Sequence, residues 1–177
     1  MTTDYGLRTT AKTNSAVDGS LWSVDEVSMI SSDQIKKLRE ETGASVMDCK
    51  KALEKAGGDA TRAKEFLAKR GAELAAKKSE RKTASGIVES YIHANQKIGV
   101  LLELYCETDF VARNENFKVL AHEICLQIAA VGAQTNEELL SQPYLKNLDK
   151  AVQDLIYDAI GKLGENIKIG KFVRFEL

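Results

Sequence analysis

The stretch Ile98–Glu107, IGVLLELYCE, places Ile98, Val100, Leu102, Leu104 and Cys106 at every second position. Successive side chains of a strand point to opposite faces, so this run predicts a strand with one strongly apolar side. Ile87–His93 reads as a second strand, and Ala94-Asn95-Gln96 between them supplies the turn of a hairpin. Alternation returns in Asn166–Leu177 through Ile167, Ile169, Val173 and Phe175, which predicts a third strand.

The segment between hairpin and final strand has the helical period instead. Asn114 is a candidate N-cap, and Phe117, Leu120, Ala121, Ile124, Cys125 and Ile128 follow on one stripe. A second stripe, from a helix starting at about Leu148, carries Val152, Leu155, Ile156, Ala159, Ile160 and Leu163. Between them Thr135-x-x-Glu138 has capping-box spacing for a short helix, and Pro143, the only proline, marks the following loop. The fold class is therefore α+β, with a three-stranded antiparallel sheet covered by helices. Such a sheet leaves two edges exposed, and pairing of two copies is the simple way to protect them.

Upstream of the hairpin the pattern is purely helical. Ser31-x-x-Gln34 is a capping box that opens a helix reaching about Glu41, with Gly43 as its stop. Ser45-x-x-Asp48 repeats the spacing for a second helix to about Ala56, ended by Gly57-Gly58. Asp59 caps a third, which is expected to finish before Gly71. The expected core of this three-helix unit, residues 30–71, is Ile35, Leu38, Val46, Cys49, Leu53, Ala63, Phe66 and Leu67. Residues 72–85 read as a linker whose Lys77, Lys78, Arg81 and Lys82 outnumber Glu73 and Glu80, a solvated basic face. Residues 1–29 are rich in Thr, Ser, Asp and Gly without sustained periodicity and read as a flexible extension in which Trp22 packs loosely.

Composition excludes several classes of function. Lys plus Arg number 25 against 26 Asp plus Glu in 177 residues, a formal charge of −1, whereas proteins that live on phosphate contacts carry a basic excess. No direct nucleic-acid binding is expected. The longest apolar candidate, Ile98–Cys106, is too short to cross a bilayer and contains Glu103, so no membrane span is expected. The acidic N-terminal stretch lacks the features of a secretory leader or transit peptide and predicts a cytoplasmic protein, or one of an organelle matrix or stroma. Cys49, Cys106 and Cys125 stand far apart, without CxxC spacing, and read as buried reduced thiols. No metal, cofactor or catalytic residue is expected: His93 and His122 have no nucleophile arranged beside them, and Gly161-Lys162 and Gly164 end a helix rather than opening one.

Function concentrates at the end of the hairpin, in Glu107-Thr108-Asp109-Phe110-Val111-Ala112-Arg113-Asn114. Here an aromatic side chain sits in a polar strand-to-helix corner. Either Phe110 and Val111 cap the core while Asp109 serves a turn, or Phe110 is an exposed anchor of the kind that dominates interfaces. The residues alone leave both readings open.

The run TDFVARN, residues 108–114, resembles the signature of the elongation factor Ts family. KLREETGA at 37–44 followed by MDCKKAL at 47–53, Tyr91-Ile92-His93 with Ile98-Gly99-Val100, and Gly164-Glu165-Asn166-Ile167 leading to Phe172-Val173-Arg174 are similar to further motifs of that family, in order. The resemblance spans about residues 30 to 177. It implies a guanine nucleotide exchange factor for elongation factor Tu, with no bond-making chemistry and no cofactor. It further implies a ubiquitin-associated-like module at 30–71 that touches the partner's nucleotide domain, and an α+β dimerisation core at 86–177. The implied partner-binding residues are Thr108, Asp109, Phe110, Val111 and Arg113, with the Phe110 ring wedging near the partner's magnesium and phosphate site. Long family members continue into a second core half, whereas this chain resembles the short form, in which two copies associate through their sheets. An adaptor that recruits partners through the three helices without exchange activity is the competing reading, but it leaves TDFVARN unexplained. A hydrolase or transferase is the third, without a nucleophile constellation to support it.

Overall fold

The computed structural model describes residues 30–177; the expectations for residues 1–29, Trp22 among them, lie outside the described residues. Three helices come first: α1 (Ser32–Thr42), α2 (Val46–Lys55) and α3 (Ala60–Lys78). Each start follows its sequence signal. Ser31 Oγ accepts from Gln34 N while Gln34 Oε1 accepts from Ser31 N, Ser45 Oγ accepts from Asp48 N, and Asp59 accepts from Thr61 N and Arg62 N. Gly43 closes α1 in the left-handed conformation, φ 69°.

The core of this unit is Leu38, Cys49, Ala52, Leu53, Ala56 and Ala63, with Ile35 and Leu67 packed against it. Two expected members differ. Val46 lies on the first turn of α2 and is half exposed, and Phe66 falls beside the Ala63–Leu67 row on the outer flank of α3. Met47 is exposed next to them.

The largest departure from expectation is α3 itself, which runs through Gly71 to Lys78 and takes up the first half of the expected linker. Gly71 is not a stop. A Cβ there would lie 2.8 Å from the carbonyl oxygen of Tyr157, so its lack of a side chain lets α3 cross α7 closely. Ala75, one turn further, belongs to the core of the α+β layer.

That layer consists of β1 (Ser85–Ile92), β2 (Ile98–Cys106), α4 (Asp109–Ala112), α5 (Glu115–Val131), α6 (Asn136–Ser141), β3 (Pro143–Tyr144), β4 (Asn147–Ala151), α7 (Val152–Leu163) and β5 (Lys168–Glu176). The sheet is antiparallel with order β1-β2-β5. Its inner face carries Val100, Leu102, Leu104 and Cys106 against Phe117, Ile124 and Ile128 of α5 and Ile160 of α7, all essentially inaccessible to water. A bulge interrupts β5, where Gly170 and Lys171 stand opposite Glu103 alone. Glu103 accepts a hydrogen bond from Lys171 N at 3.0 Å, and this bond, with that from Tyr105 Oη, holds its carboxyl below the usual range.

Residues 143–151 also depart from the sequence reading. Pro143 lies in β3 rather than a loop, and Leu148 lies in β4, so α7 begins four residues later than expected. The hairpin is tied down by buried Gln127, whose amide donates to Pro143 O at 3.0 Å and accepts from Leu145 N at 3.0 Å. Among the described residues no helix is long and apolar enough to cross a membrane.

Candidate functional site

The strand-to-helix corner separates the two readings of Phe110. Thr108 is extended, φ −129° and ψ 158°, and α4 makes a single turn before Asn114 opens α5. On so short a helix neighbouring residues face different ways. Val111 and Ala112 turn inward, at 9% and 7% exposure, and plug the core beside Cys106. Phe110 turns outward with 82% of its surface accessible. The core is therefore capped by Val111, and the aromatic ring is left without intramolecular cover.

Charges flank the ring. Asp109 and Arg113, one turn apart, form an ion pair at 2.8 Å with both side chains largely in solvent. Such exposed pairs contribute little to stability, so both groups remain available to a partner. Thus Asp109, Phe110 and Arg113 form one surface, whereas Thr108 is half buried and Val111 anchors the corner from beneath.

The corner is held by Glu165 and Asn166, which the sequence singles out only as part of the Gly164-Glu165-Asn166-Ile167 motif. Glu165 accepts from Glu107 N at 3.1 Å, from Thr108 N at 3.0 Å and from Thr108 Oγ1 at 2.6 Å. The Thr108 hydroxyl donates to Glu165 and makes no capping bond to α4. Next to it, buried Asn166 donates its backbone N–H to Glu107 Oε1 at 2.7 Å and its side-chain amide to Arg81 O at 2.9 Å. Cys106 donates its thiol to Thr108 O at 3.1 Å; burial, and then the Glu165 charge, push that thiol up, so it stays protonated. The other thiols, Cys49 and Cys125, are likewise buried and free, and burial raises Cys125 to about 12.

His93 and His122 gather around Tyr91, away from the corner. Tyr91 Oη lies 3.0 Å from His93 Nδ1, and its ring meets His122 edge-on. Gly164, φ 75°, ends α7 as its spacing suggested.

A second exposed surface is the outer face of the sheet. Val88 and Ile92 of β1, Leu101 and Tyr105 of β2, and Val173 and Phe175 of β5 all point away from the helices. Leu101 pairs across the ladder with Val173, and Gly99 separates Ile92 from Phe175. The face is largely apolar, with Glu103 set between Leu101 and Tyr105, and exposed apolar area of this kind marks an interaction surface.

Comparison with known proteins places these features in a family. A family model described as Elongation factor TS matches residues 107–177, which begin at the corner itself. Proteins named elongation factor Ts from Desulforamulus reducens and Carboxydothermus hydrogenoformans are each 42% identical, over 193 and 194 aligned positions, covering 84% of this chain and 89% of theirs. One from Thermotoga petrophila is 42% identical over 191 positions, covering 84% of this chain and 96% of its own. Each alignment is longer than the 177-residue chain, so each relative carries internal residues with no counterpart here.

Proposed function

The chain belongs to the elongation factor Ts family of translation elongation factors, and on that footing we propose that it is a guanine nucleotide exchange factor for elongation factor Tu. The observation that carries this reading is Phe110, an aromatic residue 82% exposed at a corner whose other apolar residues are buried. An exposed ring has apolar surface still to bury, and it buries that surface only when a partner opens a cleft for it.

Exchange by such a residue is differential binding. A partner conformation that admits the ring near its magnesium and phosphate site holds GDP poorly, and linkage requires GDP to weaken the ring's binding by the same factor. No bond is made or broken, and the chain's residues supply contact and charge: Phe110 the wedge, Asp109 and Arg113 the flanking polar contacts. Val111 and Thr108 support them from below. The unit α1–α3 serves as a ubiquitin-associated-like module against the same partner, offering Val46, Met47 and Phe66 as apolar surface.

The test is release of a fluorescent GDP analogue from elongation factor Tu in excess unlabelled GDP. Strong, concentration-dependent acceleration by this protein is expected. Recovery of elongation factor Tu in a stable complex whose GDP release is unchanged would replace exchange with the adaptor reading.

The outer sheet face supports a homodimer in which two copies stack their sheets. In a two-fold dimer each substitution enters the interface twice. Val173→Asp, which faces away from the chain's own core, buries a carboxylate without a partner at a cost of about 3 kcal/mol per copy. Sedimentation should show the parent as a dimer and this variant as a monomer with an unchanged circular dichroism spectrum. A parent that sediments as a monomer at tens of micromolar on the order of a weak contact's Kd defeats the dimer reading.

A further inference from the structure

The geometry points to Glu165 as the positioning residue that fixes the shape of the Phe110 corner. The inference rests on the exchange reading above and adds to it a half-buried residue 55 positions further along the chain, whose carboxylate is turned to the corner rather than to the ring.

The corner has little to hold it locally. The four-residue helix α4 cannot stabilise itself, because the first turn of any helix fixes several dihedrals for one hydrogen bond. Its N-cap residue does not cap it. One carboxylate, reaching across from the turn after α7, instead gathers two consecutive backbone N–H groups and the Thr108 hydroxyl. Successive amides converging on one anion make a fixed geometry, and charge-assisted bonds of this sort are stronger than neutral ones. The adjacent Asn166 closes the arrangement by binding Glu107 on one side and the Arg81 carbonyl, just beyond α3, on the other. Arg81 itself lies 3.6 Å from the Glu107 carboxylate. The turn 164–166 therefore holds both the corner and the end of α3, which leads back to the three-helix unit. Lys78, the last residue of α3, adds a bond from its ammonium to Gly164 O.

A wedge acts only if its direction is set before the partner arrives, since ordering it during binding would consume part of the binding free energy. Glu165 supplies that order. The chemistry also predicts which substitutions are tolerated. Glutamine keeps an oxygen for the two amides and turns an N–H toward Thr108 Oγ1, whereas alanine leaves all three donors without an acceptor.

The experiment compares the parent, Glu165→Ala, Glu165→Gln, Phe110→Ala and the Phe110→Ala/Glu165→Ala double variant in GDP release from elongation factor Tu. Melting temperature and amide hydrogen exchange are measured on each full chain. Glu165→Ala is expected to slow release roughly tenfold to a hundredfold, as small misplacements of a working group do. It should also lose amide protection at Glu107 and Thr108 while the α5 amides stay protected. Glu165→Gln should restore most of the rate, and the double variant should be no slower than Phe110→Ala, because Glu165 acts through the ring. Parent-like release by Glu165→Ala, or losses that multiply in the double variant, would overturn the inference. A different result condemns the exchange reading alone: if the parent itself does not accelerate GDP release, exchange is lost, while the clamp is still decided by whether Glu165→Ala, with its melting temperature intact, loses amide protection at Glu107 and Thr108.

Discussion

Phe110→Ala is expected to slow catalysed GDP release from elongation factor Tu by about one to two orders of magnitude, corresponding to about 1.5 to 3 kcal/mol of apolar burial gained only in the open complex. The free protein should not notice the change. Phe110 is 82% exposed and belongs to neither hydrophobic core, so melting temperature and oligomeric state are expected to match the parent. That separation makes the measurement informative, because an activity lost at constant stability cannot be ascribed to misfolding. Linkage adds a second readout: the ratio of affinities for nucleotide-free and GDP-bound partner should shrink with the rate. If the variant matches the parent at every concentration, Phe110 is not the wedge.

The second large effect concerns the crossing of α3 and α7. Gly71→Val is expected to destabilise the protein by about 2 to 3 kcal/mol, because its Cβ would sit 2.8 Å from Tyr157 O and neither helix backbone can yield cheaply. For a chain of this size that is a fall in Tm of about 5 to 10 °C. Exchange should fall as well, since the three-helix unit is joined to the sheet layer through this contact. Gly161, on the other side of the crossing, predicts the opposite sign. A Cβ there meets Gly71 Cα at 3.6 Å, an ordinary contact, so Gly161→Ala should raise stability by about 0.5 to 1 kcal/mol through helix propensity. Thermal melts of the two variants check both. Equal effects at the two positions would mean that the crossing is not as tight as the geometry requires.

Much of this architecture could be read before any coordinates. The inner face of β2, the stripe of α5 and the three caps at Ser31, Ser45 and Asp59 came through because each is a local pattern with one physical meaning. What failed was what depends on distant neighbours. Gly71 looked like a stop because the reason for a glycine there is the Tyr157 backbone, far away in sequence. The β3–β4 hairpin was missed because its strands are short, its turn at Leu145-Lys146 has no glycine, and its anchor is Gln127 on α5. Phe110 could be singled out but not oriented, since one turn of helix decides whether it or Val111 enters the core. Glu165 was visible only within the Gly164-Glu165-Asn166-Ile167 motif, with no partner named for it: two of its three donors are backbone amides, which carry no sequence signature.

The continuity of α3 has a consequence of its own. A helix of 19 residues is about 28 Å long, and it joins the three-helix unit to the sheet layer with a definite rotational phase as well as a definite length. One residue inserted between Leu67 and Gly71 would swing the unit by about 100° around the axis while lengthening the helix by only about 1.5 Å. Seven inserted residues would bring it back to nearly the original bearing, displaced by about 10 Å. Direction and reach can thus be varied independently, and the two insertions would tell which of them the partner measures.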